Sequence, residues 1–123
     1  MTHARTPADL HRLFGGALER RDLEALISLF DDEAVLDMGG ELVSGQDNLR
    51  DALSAYLALD LTMEISTRSV HESGGIALLA AEWKSAPRTN PSLISEGVSV
   101  EVARRQPDGR WLFLVDVPSF GAN

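Results

Sequence analysis

Three carboxylates stand at positions where the surrounding alternation calls for apolar side chains. Glu82 follows Leu78 and Ala80 at alternate positions, Glu101 lies between Ser99 and Ala103, and Asp116 follows Leu112 and Leu114. If these stretches are strands, alternate residues share a face, and each acid shares its face with small or aliphatic neighbours. A carboxylate on an inward face is costly unless it is paired, hydrogen-bonded or held neutral, and the usual result is a raised pKa. Carboxyls of that kind serve as general acids and bases. Taken singly, each is better explained by a structural ion pair with Arg68, Arg104 or a backbone donor. Taken as a set, at least one is expected to lie in a cavity.

Other familiar chemistry is missing from the sequence. There is no cysteine, which excludes disulfides, thiolate metal sites and cysteine nucleophiles. No phosphate-binding glycine loop, His-Glu-x-x-His or Gly-x-Ser-x-Gly occurs, so no cofactor is expected. His3, His11 and His71 are dispersed, with His11 on the polar side of the first helix, and they read as surface histidines rather than metal ligands.

The acids must be positioned by elements that the periodicity reveals. Thr6-Pro7 reads as a helix start with Thr6 as the cap, and Leu10, Leu13, Phe14, Ala17 and Leu18 then form one helical stripe. Asp22 can cap a shorter helix whose inward face is Leu23, Leu26, Ile27 and Phe30, with Asp31-Asp32-Glu33 ending it. Ala34–Met38 reads as a brief extended segment closed by Gly39-Gly40, and Ser44-Gly45 opens a third helix carrying Leu49, Ala52, Leu53, Tyr56 and Leu57. From residue 61 the period falls to two, predicting strands at Leu61–His71, Ile76–Ser85, Leu93–Arg105 and Trp111–Val117. Turns at Glu72–Gly75 and Pro107–Gly109 make neighbours antiparallel, and Ala86–Ser92 is a longer loop.

Helices followed by strands predict an α+β fold with the helices on one face of the sheet. Strict alternation sends Trp111, Phe113, Val115 and Val117 to one side of the last strand and Leu112, Leu114 and Asp116 to the other. A sheet apolar on both sides needs a second cover, and the expected cover is another copy of the chain: a homodimer burying Trp83, Trp111 and Phe113.

The 123 residues suit a single domain spanning 1–123. A net charge of −8 arises in the first half, where residues 1–64 hold thirteen acids and five bases while the remainder holds six of each. Acidic helix faces explain this, and nucleic acid or an anionic membrane is not expected as a partner. The absence of a secretory signal or long apolar run predicts a soluble, cytoplasmic protein.

The succession Arg21-Asp22-Leu23-Glu24-Ala25-Leu26, Leu29 to Leu36, Ser44-Gly45 and Arg104 to Trp111 with Asp116 and Pro118 resembles the SnoaL-like branch of the NTF2-like superfamily, which includes ketosteroid isomerase. That resemblance spans nearly the whole chain. It implies a cone in which three N-terminal helices pack on a strongly curved antiparallel sheet and enclose a pocket, in a dimer formed through the outer face. Carried over by position, the isomerase tyrosine of the first helix is matched by Phe14, the proton-moving aspartate by Met38 or Asp37, and the neutral acid of the third strand falls near Glu101. Leu78, Ala80 and Glu82 of the second strand and Leu114 and Asp116 of the fourth would face the pocket.

Two functions follow. One is a cofactor-independent enzyme of isomerase, cyclase or hydratase type on a partly apolar organic molecule. Asp37 or Asp116 would be its base, Glu101 or Glu82 its neutral donor, and Phe14, Met38, Leu78 and Leu114 would bind the substrate. Steroid isomerisation by the known mechanism is not expected. The other is a non-catalytic dimeric module that binds a ligand or associates with a protein.

Overall fold

A computed structural model describes residues 3–121. The order is α1 (Asp9–Glu19), α2 (Leu23–Ile27), β1 (Phe30–Met38), β2 (Glu41–Ser44), α3 (Gln46–Ala58), β3 (Leu61–Ser73), β4 (Ile76–Pro87), β5 (Ser95–Arg105) and β6 (Trp111–Val117). The six strands form one curved sheet in the order β2-β1-β6-β5-β4-β3. Neighbours are antiparallel except β1 and β6, which run parallel. The core lies between the helices and the inner face of the sheet, where Leu10, Leu18, Leu26, Leu49 and Leu53 meet Leu36, Leu79, Ala103 and Phe113.

The helix starts are set by carboxylates. α1 begins at Asp9 and not at Pro7, with no side-chain cap from its N-cap residue. The Asp9 Oδ2 instead accepts the backbone N–H groups of Arg5 at 3.0 Å and Thr6 at 3.1 Å, so the turn before the helix is tied down without the Thr6 hydroxyl. Asp22 does cap α2, accepting the Ala25 N–H at 3.1 Å.

The expected helix break at Asp31-Asp32-Glu33 is a strand. β1 begins at Phe30, which therefore belongs to the sheet and not to the second helix. The reason is a long-range lock: Arg104 donates to both Asp31 oxygens at 2.8 and 3.1 Å, and the Gln106 amide donates to Oδ2 at 2.8 Å. Burial opposes the Asp31 charge, but the bonds from Arg104, Gln106 and the Glu33 N–H outweigh it and hold the carboxyl below its ordinary range. A further strand, β2, turns back on β1 at Gly39 and Gly40, whose φ of +68° and +97° suit glycine.

The faces of β6 differ most from strict alternation. Opposite β5, Val102 pairs with Val115 but Ala103 pairs with Phe113, which leaves Leu114 as an extra residue. Such a bulge moves everything beyond it to the opposite face. Trp111 and Phe113 consequently share the inner face with Asp116, and both are core residues at 3% and 2% exposure, so neither can form an outer dimer patch. Trp83 is also inward: it pairs with Gly97, its indole N–H donates to the Pro118 carbonyl at 2.7 Å, and a Cβ at Gly97 would come within 2.9 Å of the ring. The outer face carries Leu78, Ala80, Val98, Val100, Val102, Val115 and Val117, the residues between the inward ones.

Replacing Asp31 by Asn weakens the charge-assisted lock and is expected to destabilise the fold by roughly 2 kcal/mol at pH 7 in urea titrations. Because the folded pKa is depressed, the stabilisation is present above the unfolded value and disappears as pH falls through the folded one. The gap between wild type and variant therefore closes in acid.

Candidate functional site

The inner face brings Glu101 and Asp116 side by side. They are register partners across β5 and β6, at 3% and 7% exposure, and residues directly opposite on one face have Cβ atoms about 5 Å apart. Their other register neighbours are the core residues Leu79, opposite Glu101 on β4, and Leu36, beside Asp116 on β1.

The two acids sit in unlike surroundings. Glu101 Oε1 is 2.7 Å from His11 Nε2, and His11 Nδ1 is 2.7 Å from Thr67 Oγ1. With Glu101 ionised, the imidazole donates through Nε2–H. Among the described residues Asp116 has no comparable hydrogen-bond partner. Burial, followed by the negative charge of Glu101, pushes its carboxyl well above the ordinary range, so it keeps its proton where an exposed aspartate has lost it. Tyr56 of α3 senses the same region: burial, then the Asp116 charge, pushes its phenol up to about 12.

Ser99 is two residues before Glu101 and on the same face. Its Oγ is buried and, among the described residues, has no hydrogen-bond partner. An orphaned buried hydroxyl is unusual and is satisfied if a ligand supplies a polar atom.

Several sequence expectations need correction. His11 is not a surface residue: it is 2% exposed and holds the buried Glu101. Glu82 lies on the outer face with its side chain 64% exposed, 3.8 Å from Arg68, because the inward set of β4 is Ala77, Leu79 and Ala81. Leu78 shares that outer face at 48% exposure. Asp37 closes the β1–β2 turn, accepting the Gly40 N–H at 2.7 Å, and Met38 beside it is exposed. Leu114 is the half-buried bulge residue. Phe14 packs edge-on against Phe113 at a centroid distance of 6.4 Å, on the inner side. His11, Thr67, Ser99 and Tyr56 were not singled out by sequence. His11 precedes Phe14 by three residues and Leu18 by seven, a spacing that places it beside the buried stripe.

Two broad depressions mark the described surface. One, of about 570 Å³, lies at the β3–β4 and β5–β6 turns around Gly75, Arg105 and Gln106, away from the acids. The other, about 650 Å³, is an open groove between α1 and β3 whose lining includes His11 and Thr67. Among the described residues, no group of three or more His, Asp or Glu is placed to hold a metal ion.

A model of the SnoaL-like domain matches residues 10–113. The chain belongs to the SnoaL-like family. No curated protein matches it in sequence. Solved structures share its fold. An NTF2-like protein of unknown function from Pseudomonas putida superposes with a TM-score of 0.78 at 18% identity, covering 89% of this chain and 80% of that one. A protein with a cystatin-like fold from Nostoc punctiforme gives 0.78 at 16% identity, covering 89% and 84%. A ketosteroid isomerase-like protein from Erwinia carotovora atroseptica gives 0.70 at 16% identity, covering 89% and 88%. At these identities the SnoaL-like fold is shared and the reaction is not specified.

Asp116 gives a stability test with a defined sign. Between about pH 4 and the raised pKa of the folded state, the unfolded chain has released this proton while the folded chain retains it, so over that interval stability falls with rising pH by about 1.4 kcal/mol per unit from this group. Asp116→Asn removes that contribution. Thermal melts between pH 5 and 8 are expected to show the variant gaining on wild type as pH rises.

Proposed function

We propose that the chain is a cofactor-independent acid–base enzyme that relocates a proton on a small, partly apolar organic molecule, as an isomerase, cyclase or hydratase does. The observation that carries this reading is the opposed pair of buried carboxyls on one inner face, one hydrogen-bonded to a histidine and one desolvated. Unlike surroundings separate the roles of two otherwise similar acids.

Glu101, as carboxylate, takes a proton from the substrate. The neutral Asp116 donates a hydrogen bond to the oxygen on which negative charge develops. Glu101 then returns its proton to another substrate atom, and the enzyme is restored. Ser99 Oγ holds a further polar atom of the ligand, and Phe14 offers apolar surface beside it. Asp37 and Glu82, in a turn and in solvent, take no part. The name of the Erwinia relative, ketosteroid isomerase-like, supports proton transfer as a class of reaction. Phe14, standing where those isomerases carry a tyrosine, argues for a different donor set.

The test is deuterium exchange at the α-carbon of a panel of cyclic enones in D₂O, followed by NMR. Wild type is expected to accelerate exchange on at least one compound, with Glu101→Gln losing about 10²–10⁴-fold and Asp116→Asn also impaired while remaining folded. Equal exchange by wild type and both variants would reject the reading and leave the non-catalytic association module.

The apolar outer face favours a homodimer, with a second copy covering Val98, Val100, Val102, Val115 and Val117 in place of the tryptophan patch first expected. Sedimentation is expected to show a dimer for wild type and a monomer for Val102→Lys. A monomeric wild type at micromolar concentration would remove the dimer from the proposal.

A further inference from the structure

We propose that His11 and Thr67 form a proton relay connecting Glu101 to water in the groove between α1 and β3, so that Glu101 exchanges its proton with solvent without using the face that holds the substrate. The relay rests on the proton-transfer reading above.

Its geometry is continuous. Glu101 and His11 have side-chain exposures of 4% and 3%, whereas Thr67 is exposed, and both links are 2.7 Å long. Thr67 and His11 line the groove together with Arg12 and Glu19 of α1, Arg20 just beyond it and Glu64 of β3. α1 packs closely on β3 at Gly15, where a Cβ would stand 3.3 Å from Ile65 Cγ2. The second bond satisfies the buried Nδ1 and at the same time carries the hydrogen-bonded chain from Glu101 out to an exposed hydroxyl.

The same two contacts serve both tautomers of the ring. When Glu101 is a carboxylate, Nε2–H donates to it and Nδ1 accepts from the Thr67 hydroxyl. A hydronium in the groove then gives its proton to Thr67 Oγ1, Thr67 passes its own hydrogen to Nδ1, and Nε2 releases its proton to Glu101. Glu101 is now protonated and donates to Nε2, Nδ1–H donates to Thr67, and a neutral water remains. The reverse sequence returns the proton to solvent. No oxidant, metal or co-reactant is required.

The experiment is NMR measurement of water exchange at the His11 ring N–H in the full-length, nitrogen-15-labelled chain without substrate. Thr67→Val, which keeps the shape and removes the hydroxyl, is expected to slow exchange by about tenfold or more. Thr67→Ser is expected to restore it, and Glu82→Gln on the outer face to leave it unchanged. Thr67→Ala carries the same comparison if the valine variant does not fold. A hydroxyl of merely structural use would leave the exchange rate unaltered while the His11 to Glu101 bond persists, and that result overturns the relay. Because no substrate is present, failure here leaves the enone-exchange assay to judge the proton-transfer reading, and failure of that assay leaves this measurement standing.

Discussion

One extra residue in β6 decides the chemistry of this chain. Leu114 breaks the two-residue period between Phe113 and Val115, and the break turns Asp116 from the face it would share with Leu112 to the face of Phe113 and Glu101. Without it, Asp116 would join the valine lattice on the outside of the sheet and the inner face would hold one acid instead of two. Bulges recur where a strand must aim a side chain against its own alternation. Here the result is two carboxyls opposed within an apolar setting, which is costly to stability and useful for proton transfer. Everything assigned to the site depends on that register.

A second register shift serves the other acid. β3 departs from regular pairing with β4 between Thr67 and Ser69, directly after the threonine that meets His11. The helix contributes as well. Glycine in the middle of a helix costs about 1 kcal/mol relative to alanine, yet α1 carries Gly15 and Gly16 in succession. Gly15 allows a close approach of α1 to β3: a Cβ there would stand 3.3 Å from Ile65 Cγ2, and the isoleucine would have to give by a few tenths of an ångström. Local propensity is given up on the helix and regular pairing on the strand at the places where the buried polar chain needs both elements close. Departures from local consistency are expected to gather at functional sites.

These departures also mark the limits of reading the sequence. The helical stripe of α1, the Asp22 cap, the third helix and the four strands after residue 60 were legible, because each depends on periodicity or on a local turn. What failed was non-local or aperiodic. The acidic run Asp31-Asp32-Glu33 reads as a break until Arg104, on a distant strand, is placed beside Asp31. Glu82 and Asp116 show the same alternation with aliphatic residues, yet one ends in solvent and the other in the core, because only β6 carries a bulge before its acid. On β4 the alternation is unbroken and only the choice of face fails: Ala77, Leu79 and Ala81 point inward, so Leu78 and Glu82 point out, whereas on β6 the bulge brings Trp111 and Phe113 to the inner face that Asp116 was expected to occupy. His11 was missed for a different reason: its partners Glu101 and Thr67 lie ninety and fifty-six residues away, and nothing local distinguishes a histidine at the edge of a helical stripe from an exposed one.

The middle of the outer face is built from the residues that frame the bulge. Val102 pairs with Val115 immediately before the register changes between Val102 and Ala103. Leu78 pairs with Val102 on the next strand, and Val115 pairs with Val35 on β1, so the shift is bordered outside by aliphatic side chains and inside by the two acids. A second copy seated on these residues, as proposed, clamps the strands whose register turns Asp116 inward. Slippage by one residue would return an acid to the outer surface, now covered by the partner, where a carboxylate has no water and no cation. Such a dimer and the site would constrain one another through the sheet: the apolar cover would penalise the register in which the acid pair is lost.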